Sequence, residues 1–418
     1  MQNIIVEKPY RFIPPYRSTL WPAVFRAIRL HAYLLRTREG VVAHEVRHIE
    51  RLRASLAQRD AILITPNHPR TADPIAMGWL AVEAPCFFYV MASWHLFQES
   101  WLAGWAIRAT GGFSVNREGV DRQAINMAID LLASGERPLI IFPEGATTRT
   151  ADCLQALLDG VAFIARAAAK KRAKQHPPGR VVVHPVAVKY FFGGDIRRAV
   201  DDVLTDIEQR LTWRPQRQLP LTERILKVGS ALLSLKEIEY FGEPHSGTFA
   251  ERLARLIDRL LGPLEVEWLG GVQSGPVIPR VRNLRTKILP EMVEGKVTPE
   301  ERTRRWQQLA DIYLAQQLAT YPPGYLVQPT VDRILEIVEK FEEDITDKAR
   351  LHGQLKVVLD VGEPLPVSPE RPRGTAQDPL MDQIRERLQA MLDLLAAESP
   401  PWHDPPAPPP QAAMPEAM

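Results

Sequence analysis

Cysteine is nearly absent: Cys86 and Cys153 are the two in 418 residues. They lie in unrelated contexts, which excludes a disulfide framework and a cysteine-type zinc site and fits a reducing compartment. No apolar run reaches the roughly 18 residues that a membrane-crossing helix needs, and no signal peptide is visible. The expectation is a cytoplasmic protein whose membrane contact is peripheral. An excess of one charge is missing too. The 52 Lys and Arg stand against 50 Asp and Glu, a formal net charge of +2, so no nucleic-acid partner is expected. The Gly-x-Ser-x-Gly elbow of serine hydrolases does not occur. His44 and His48 are four apart, but Glu45-Val46-Arg47 between them is not a metalloprotease arrangement, and no metal is expected.

What is present is unevenly distributed. Residues 1–60 hold eleven Lys or Arg and five Asp or Glu, a local +6 that the remainder of the chain must offset with −4. Trp21, Val24, Phe25, Ile28 and Leu35 recur at helical spacing with Arg26, Arg29 and Arg36 beside them. This reads as a basic amphipathic helix over 21–36, made either to lie on an anionic membrane surface or to pack on its own core. At the other end, eight of the last twenty residues are Pro. Residues 397–418 are expected to be a disordered tail, a passive extension or a Pro-rich ligand.

Short apolar runs at Ala61–Thr65, Phe113–Val115, Leu139–Phe142 and Val181–Val188 read as strands. They alternate with helical patterns from Asp73, over 121–134 and over 154–170. Such alternation predicts an α/β fold with a largely parallel sheet flanked by helices and chemistry at the carboxyl ends of its strands. The core spans 61–195, preceded by the basic segment 1–60. Beyond it come helical segments near 196–211, 222–236, 247–261, 299–319 and 330–345, then strand character at 355–361, Gly-Glu-Pro, and a helix over 379–396. We read 196–352 as a helical insertion and 353–396 as the closing strand and helix of the core. Ile238–Phe241, also followed by Gly-Glu-Pro, is a competing closing strand that would leave the later residues as an appended helical domain.

Three loops after predicted strands carry the chemistry-bearing residues. The first is Thr65-Pro66-Asn67-His68-Pro69-Arg70-Thr71-Ala72-Asp73-Pro74. Residues five apart do not share a helix face, so His68 and Asp73 meet only if the loop folds back at a helix start. A neutral imidazole oriented by a carboxylate is a base at neutral pH, whereas Asp-Pro is also an ordinary helix cap and first-turn pair. The second is Gly111-Gly112-Phe113-Ser114-Val115-Asn116-Arg117, whose Arg forks onto a phosphate or pairs with a surface acid. The third is Phe142-Pro143-Glu144-Gly145-Ala146-Thr147-Thr148-Arg149, either a turn or a set of backbone donors and a cation for an anion.

Taken in order, and followed by the Val183-His184-Pro185-Val186 strand, these blocks resemble the glycerolipid acyltransferase superfamily, which includes bacterial 1-acylglycerol-3-phosphate acyltransferases. The resemblance covers about residues 60–190. It implies His68 as general base, Asp73 as its orienting partner, and Asn67, Arg117, Glu144, Gly145 and Arg149 as the substrate-binding set. It also implies transfer of a fatty acyl group from acyl-CoA or acyl-carrier protein to a hydroxyl of a lysophospholipid or glycerol phosphate. The thioester is then a co-substrate, no cofactor is needed, and the partners are a lysolipid and the inner face of a membrane touched by the N-terminal segment. Arg70 stands where many members carry Ser, and Ala146 lengthens the third block by a residue. A different lipid acceptor, or a non-catalytic lipid-binding role, are the competing readings.

Overall fold

The computed structural model describes residues 8–348, 350–372, 374 and 378–404. Among them eight strands form one sheet: β1 (Val41–Arg47), β2 (Ala61–Pro66), β3 (Tyr89–Ser93), β4 (Gly112–Val115), β5 (Leu139–Ile140), β6 (Val181–Phe192), β7 (Leu355–Val361) and β8 (Leu365–Pro366). Their order is β1-β7-β6-β2-β5-β3-β4, with β8 beside β6. From β6 to β4 neighbouring strands are parallel, while β7 runs antiparallel to β6 and carries β1 parallel on its outer side. The fold is therefore α/β with a mostly parallel sheet. Helices cover both faces of its centre, and so β2 is an unbroken apolar run. Ile62 and Ile64 enter one core while Ala61 and Leu63 enter the other.

The first helix differs from expectation. Arg29 adopts a left-handed φ of 52° and divides the stretch into α1 (Leu20–Ala27) and α2 (Leu30–Glu39). Nor does the N-terminal segment last to residue 60, because β1 and α3 (Ile49–Ala57) belong to the sheet and its cover. An edge strand half open to solvent gives little apolar signal, and β1 is of that kind. The following helices are α4 (Asp73–Ala76), α5 (Gly78–Glu83), α6 (Trp101–Ala109), α7 (Arg122–Ser134) and α8 (Gly160–Arg172). Asp121 caps α7 through the Ala124 amide and Gly135 ends it at φ 65°. Helix α8 starts six residues later than the pattern suggests, since 154–159 is spent covering the loop after β5.

Six helices occupy 196–352: α9 (Ile196–Thr212), α10 (Leu221–Phe241), α11 (Phe249–Leu269), α12 (Val277–Val293), α13 (Pro299–Leu318) and α14 (Val331–Thr346). Residues 238–241 lie inside α10, and the strand beside β6 is 355–361. Helices α9 and α14 return to the sheet, burying Val200, Leu204, Ile334 and Val338 in the core that holds Ile64 and Leu359. By contrast α11, α12 and α13 bury Leu256, Leu260, Leu284, Ile288, Leu309 and Ile312 against one another. The last helix, α15 (Pro379–Ala396), lies against β6 and α8. Part of the expected disordered tail is pinned: Ser399 donates to Asp332 at 2.6 Å, the Trp402 amide to Pro329 at 2.8 Å, and Asp404 accepts from the Leu221 amide at 2.7 Å. Residues 405–418, the remainder of that expectation, lie outside the described residues.

Leu359 is fully buried in β7 between β1 and β6. Leu359→Ala is expected to cost about 2–5 kcal/mol, measured as a fall in the urea midpoint. A loss well under 1 kcal/mol would contradict the placement of this strand between β1 and β6.

Candidate active site

Strands β2, β5 and β4 are parallel, so the loops that follow them emerge on one edge of the sheet. In the loop after β2 the chain turns back at Pro69 and starts α4, which brings residues five apart into contact. His68 Nδ1 lies 2.8 Å from Asp73 Oδ2. The same oxygen accepts the Arg70 amide at 2.9 Å, and Oδ1 accepts the Tyr190 hydroxyl at 2.7 Å. Asp73 is wholly buried and accepts no hydrogen bond from the first turn of α4, so capping is not its role. An ionised carboxylate only accepts, which puts the imidazole proton on Nδ1 and leaves a lone pair on Nε2. The ring rests on Phe142, with centroids 4.2 Å apart.

His68 faces a cavity of about 610 Å³. Its walls are mainly apolar, with Phe25 and Leu34 from α1 and α2, Ile107 from α6, Phe142 after β5 and Ile164 from α8. Arg117 and Gly145 also line it. Gly145 sits at φ +70°, and a Cβ there would stand 2.7 Å from Leu158 Cδ1, so the turn after β5 requires glycine.

The three other residues of the expected binding set do different work. Asn67 does not line the cavity; its side chain extends the β2–β6 ladder, donating to Val188 O at 3.0 Å and accepting from Val188 N at 2.7 Å. Glu144, also outside the lining and only 2% exposed, accepts the His68 amide at 2.7 Å and the Gln155 amide at 2.9 Å. Burial pushes its carboxyl above the usual range, against the pull of those two amides. Arg149 reaches Glu343 at 2.8 Å and Glu339 at 3.7 Å on α14. Asn67, Glu144 and Arg149 are thus absent from the lining of this cavity and bond instead to β6, to the loops and to α14. The loops after β2 and β5 are further clasped by Thr148 N to His68 O at 3.1 Å and Arg149 N to Pro69 O at 2.9 Å.

Two contributors escaped the sequence reading. Tyr190 is near the end of a twelve-residue strand, 117 residues from the carboxylate it serves. Arg70 pairs with Glu339 at 2.5 Å, both buried, and its guanidinium lies 5.2 Å from the centre of the Tyr190 ring. The departure at Arg70 therefore has a structural counterpart: an insertion helix that supplies the acid. An arginine three residues before Asp73 is the one signal that could have suggested such a partner.

Residues 44–189 match the model of a family described as Acyltransferase. Both loops and most of β6 lie within this stretch, and the match supports the glycerolipid acyltransferase superfamily. Among curated proteins, the 1-acyl-sn-glycerol-3-phosphate acyltransferase of Streptococcus pneumoniae (strain ATCC BAA-255 / R6) is 36% identical over 85 residues. That similarity covers 20% of this chain and 31% of the relative, so the chain spans about a third of the protein it matches.

Replacing Asn67 or Glu144 by Ala leaves buried backbone groups without partners, and each change should destabilise the protein by about 1–3 kcal/mol. Urea unfolding measures this. Unchanged stability with a raised KM for one substrate would assign these residues to substrate binding instead.

Proposed function

We propose that the protein transfers a fatty acyl group from a CoA or carrier-protein thioester to a hydroxyl of a phosphate-bearing lysolipid or glycerol phosphate. The observation that carries this reading is the His68–Asp73 pair, 2.8 Å apart, on the wall of a large apolar cavity that Arg117 also lines. A thioester is already activated, so no covalent enzyme intermediate is needed. His68 Nε2 takes the proton of the acceptor hydroxyl as its oxygen attacks the thioester carbon, and the thiolate leaves and is protonated. Asp73 holds the imidazole and balances the charge it gains. The apolar wall receives the acyl chain, and Arg117 offers a fork to the acceptor's phosphate.

The membrane surface is the second element of the proposal. No helix among the described residues is long and apolar enough to cross a bilayer. Around α1 and α6, whose Trp21 and Trp105 rings meet at 4.9 Å, large apolar side chains stay exposed: Leu20, Ile28, Leu102 and Trp101, the last at 82%. Phe25 of the same helix lines the cavity, so the exposed patch is continuous with the place where an acyl chain would lie. Arginines near an anionic surface add about 1 kcal/mol each at low salt.

Incubation of the purified protein with labelled acyl-CoA or acyl-carrier protein and a panel of lysolipids tests the reaction. His68→Ala should lower turnover by about 10²- to 10⁴-fold, the usual share of a general base, with an unchanged melting temperature. Wild-type turnover in that variant would remove His68 from the chemistry. Vesicle flotation should show binding that rises with anionic lipid, falls in high salt and weakens in Trp101→Ser/Leu102→Ser. Flotation indifferent to both salt and that double variant would place the lipid contact elsewhere.

A further inference from the structure

Arg117 lies in the turn that follows β4. Asp121 fixes this turn by accepting the Asn116 amide at 2.9 Å while capping α7, and Asn116 Oδ1 accepts the Glu118 amide at 3.0 Å. From the opposite side, α12 of the helical insertion brings up Arg282 and Arg285, and both line the same cavity as His68 and Arg117. Arg282 donates to the Gly119 carbonyl at 3.0 Å, and Arg285 pairs with Glu118 through one nitrogen and one oxygen. Each member of that pair keeps one buried polar atom without a partner. Arg285 is 7% exposed, its Nε is buried with no partner, and so is the second carboxylate oxygen of Glu118.

The charges do not balance either. Among the described residues no ion pair or hydrogen bond engages the Arg117 guanidinium, and Glu118, the carboxylate that acts on it, is paired with Arg285. Desolvation, with Arg285 close by, pushes the Arg117 pKa down to about 10, which still leaves it charged at neutral pH. His95 brings no relief, because burial and the same two arginines push it down to about 4 and keep it neutral. A second cavity of about 320 Å³ reaches Arg117 and Glu118 from the side of Lys8. An unmatched guanidinium on a desolvated wall costs free energy that a bound anion would offset. Two guanidinium groups on the wall of one cavity suit a phosphate monoester, which offers several acceptor oxygens.

We propose that Arg285, supplied by the helical insertion, completes a phosphate-monoester subsite with Arg117, and that the incoming phosphate displaces the Glu118 carboxylate from Arg285. Which substrate carries the phosphate rests on the acyl-transfer reading above; the subsite itself does not. Two sources share the chemistry, a glycerol phosphate headgroup and the 3′-phosphate of a CoA thioester. The insertion then acts in recognition, because a chain without α12 would present Arg117 alone.

Calorimetric titration of the full chain with glycerol 3-phosphate and with adenosine 3′,5′-bisphosphate tests this, with glycerol as the phosphate-free control. Arg285→Gln should weaken binding of the responding phosphate at least tenfold, and Glu118→Gln should tighten it several-fold by removing the competing anion. Arg304→Gln, at an exposed pair with Glu301 and Glu267, should leave it unchanged. The compound that binds identifies the source. No binding of either phosphate to the wild type, equal binding of glycerol, or unchanged affinity in Arg285→Gln would overturn the proposal. So would weaker binding in Glu118→Gln, the result expected if the pair only clamps the insertion to the core. That variant also keeps the test decisive should Arg285→Gln unfold. Wild-type protein that binds phosphate through Arg285 yet transfers no acyl group would defeat the acyltransferase reading and leave this one standing.

Discussion

A carboxylate removed from water must receive its hydrogen bonds from the protein, and Asp73 receives them from three directions: the Arg70 amide, the His68 ring and the Tyr190 hydroxyl. Each donor fixes a different part of the structure. The amide closes the turn after β2, the ring is set in one orientation, and the phenol ties the turn to β6. Leaving any oxygen of such a group unpaired costs more than an average hydrogen bond contributes. The loop therefore has little freedom, although its two prolines and short helix offer few regular backbone bonds of their own.

Around that carboxylate the loops are held by three of the residues that the family resemblance assigns to substrate binding. Asn67 prolongs a β-ladder, Glu144 accepts two loop amides, and Arg149 joins Arg70 in reaching the acids of α14. The insertion is consequently bound to the site at both ends. Helix α14 neutralises arginines behind the histidine, while α12 presents Arg282 and Arg285 to the cavity in front of it. The three helices between α10 and α14 bury their own apolar core, which lets them carry side chains to the cavity without contributing to the sheet.

The cavity wall is shared between the α/β core and the N-terminal helices, so the apolar stripe of residues 21–36 has two uses. Phe25, Leu30 and Leu34 face the cavity, whereas Leu20, Ile28 and Tyr33 remain exposed. The break at Arg29 separates two short helices, and each has one side on the cavity and another in solvent. A sequence pattern that offered either core packing or surface contact thus resolves into both kinds of environment on neighbouring turns.

Local pattern was enough for the elements whose cause is local. Largely apolar runs marked β2 and β6, Asp121 and Gly135 bounded α7, and the prolines around His68 and Asp73 allowed the fold-back that brings the two together, a pairing that the family resemblance implied. The half-exposed edge strand β1 and the short inner strand β3 gave no such pattern and went unread. Partners distant in the chain were out of reach as well. Nothing near residue 73 announces Tyr190, nothing near Arg70 announces Glu339, and nothing near Arg117 announces Arg285, because charge and hydrogen-bond pairing depend on distance in space and the sequence records only separation along the chain. The residue types at the site were determined by the sequence. Which of them face the cavity, and which are consumed in holding the loops, was decided only when the sheet brought β2, β4, β5 and β6 to one edge and the insertion closed over it.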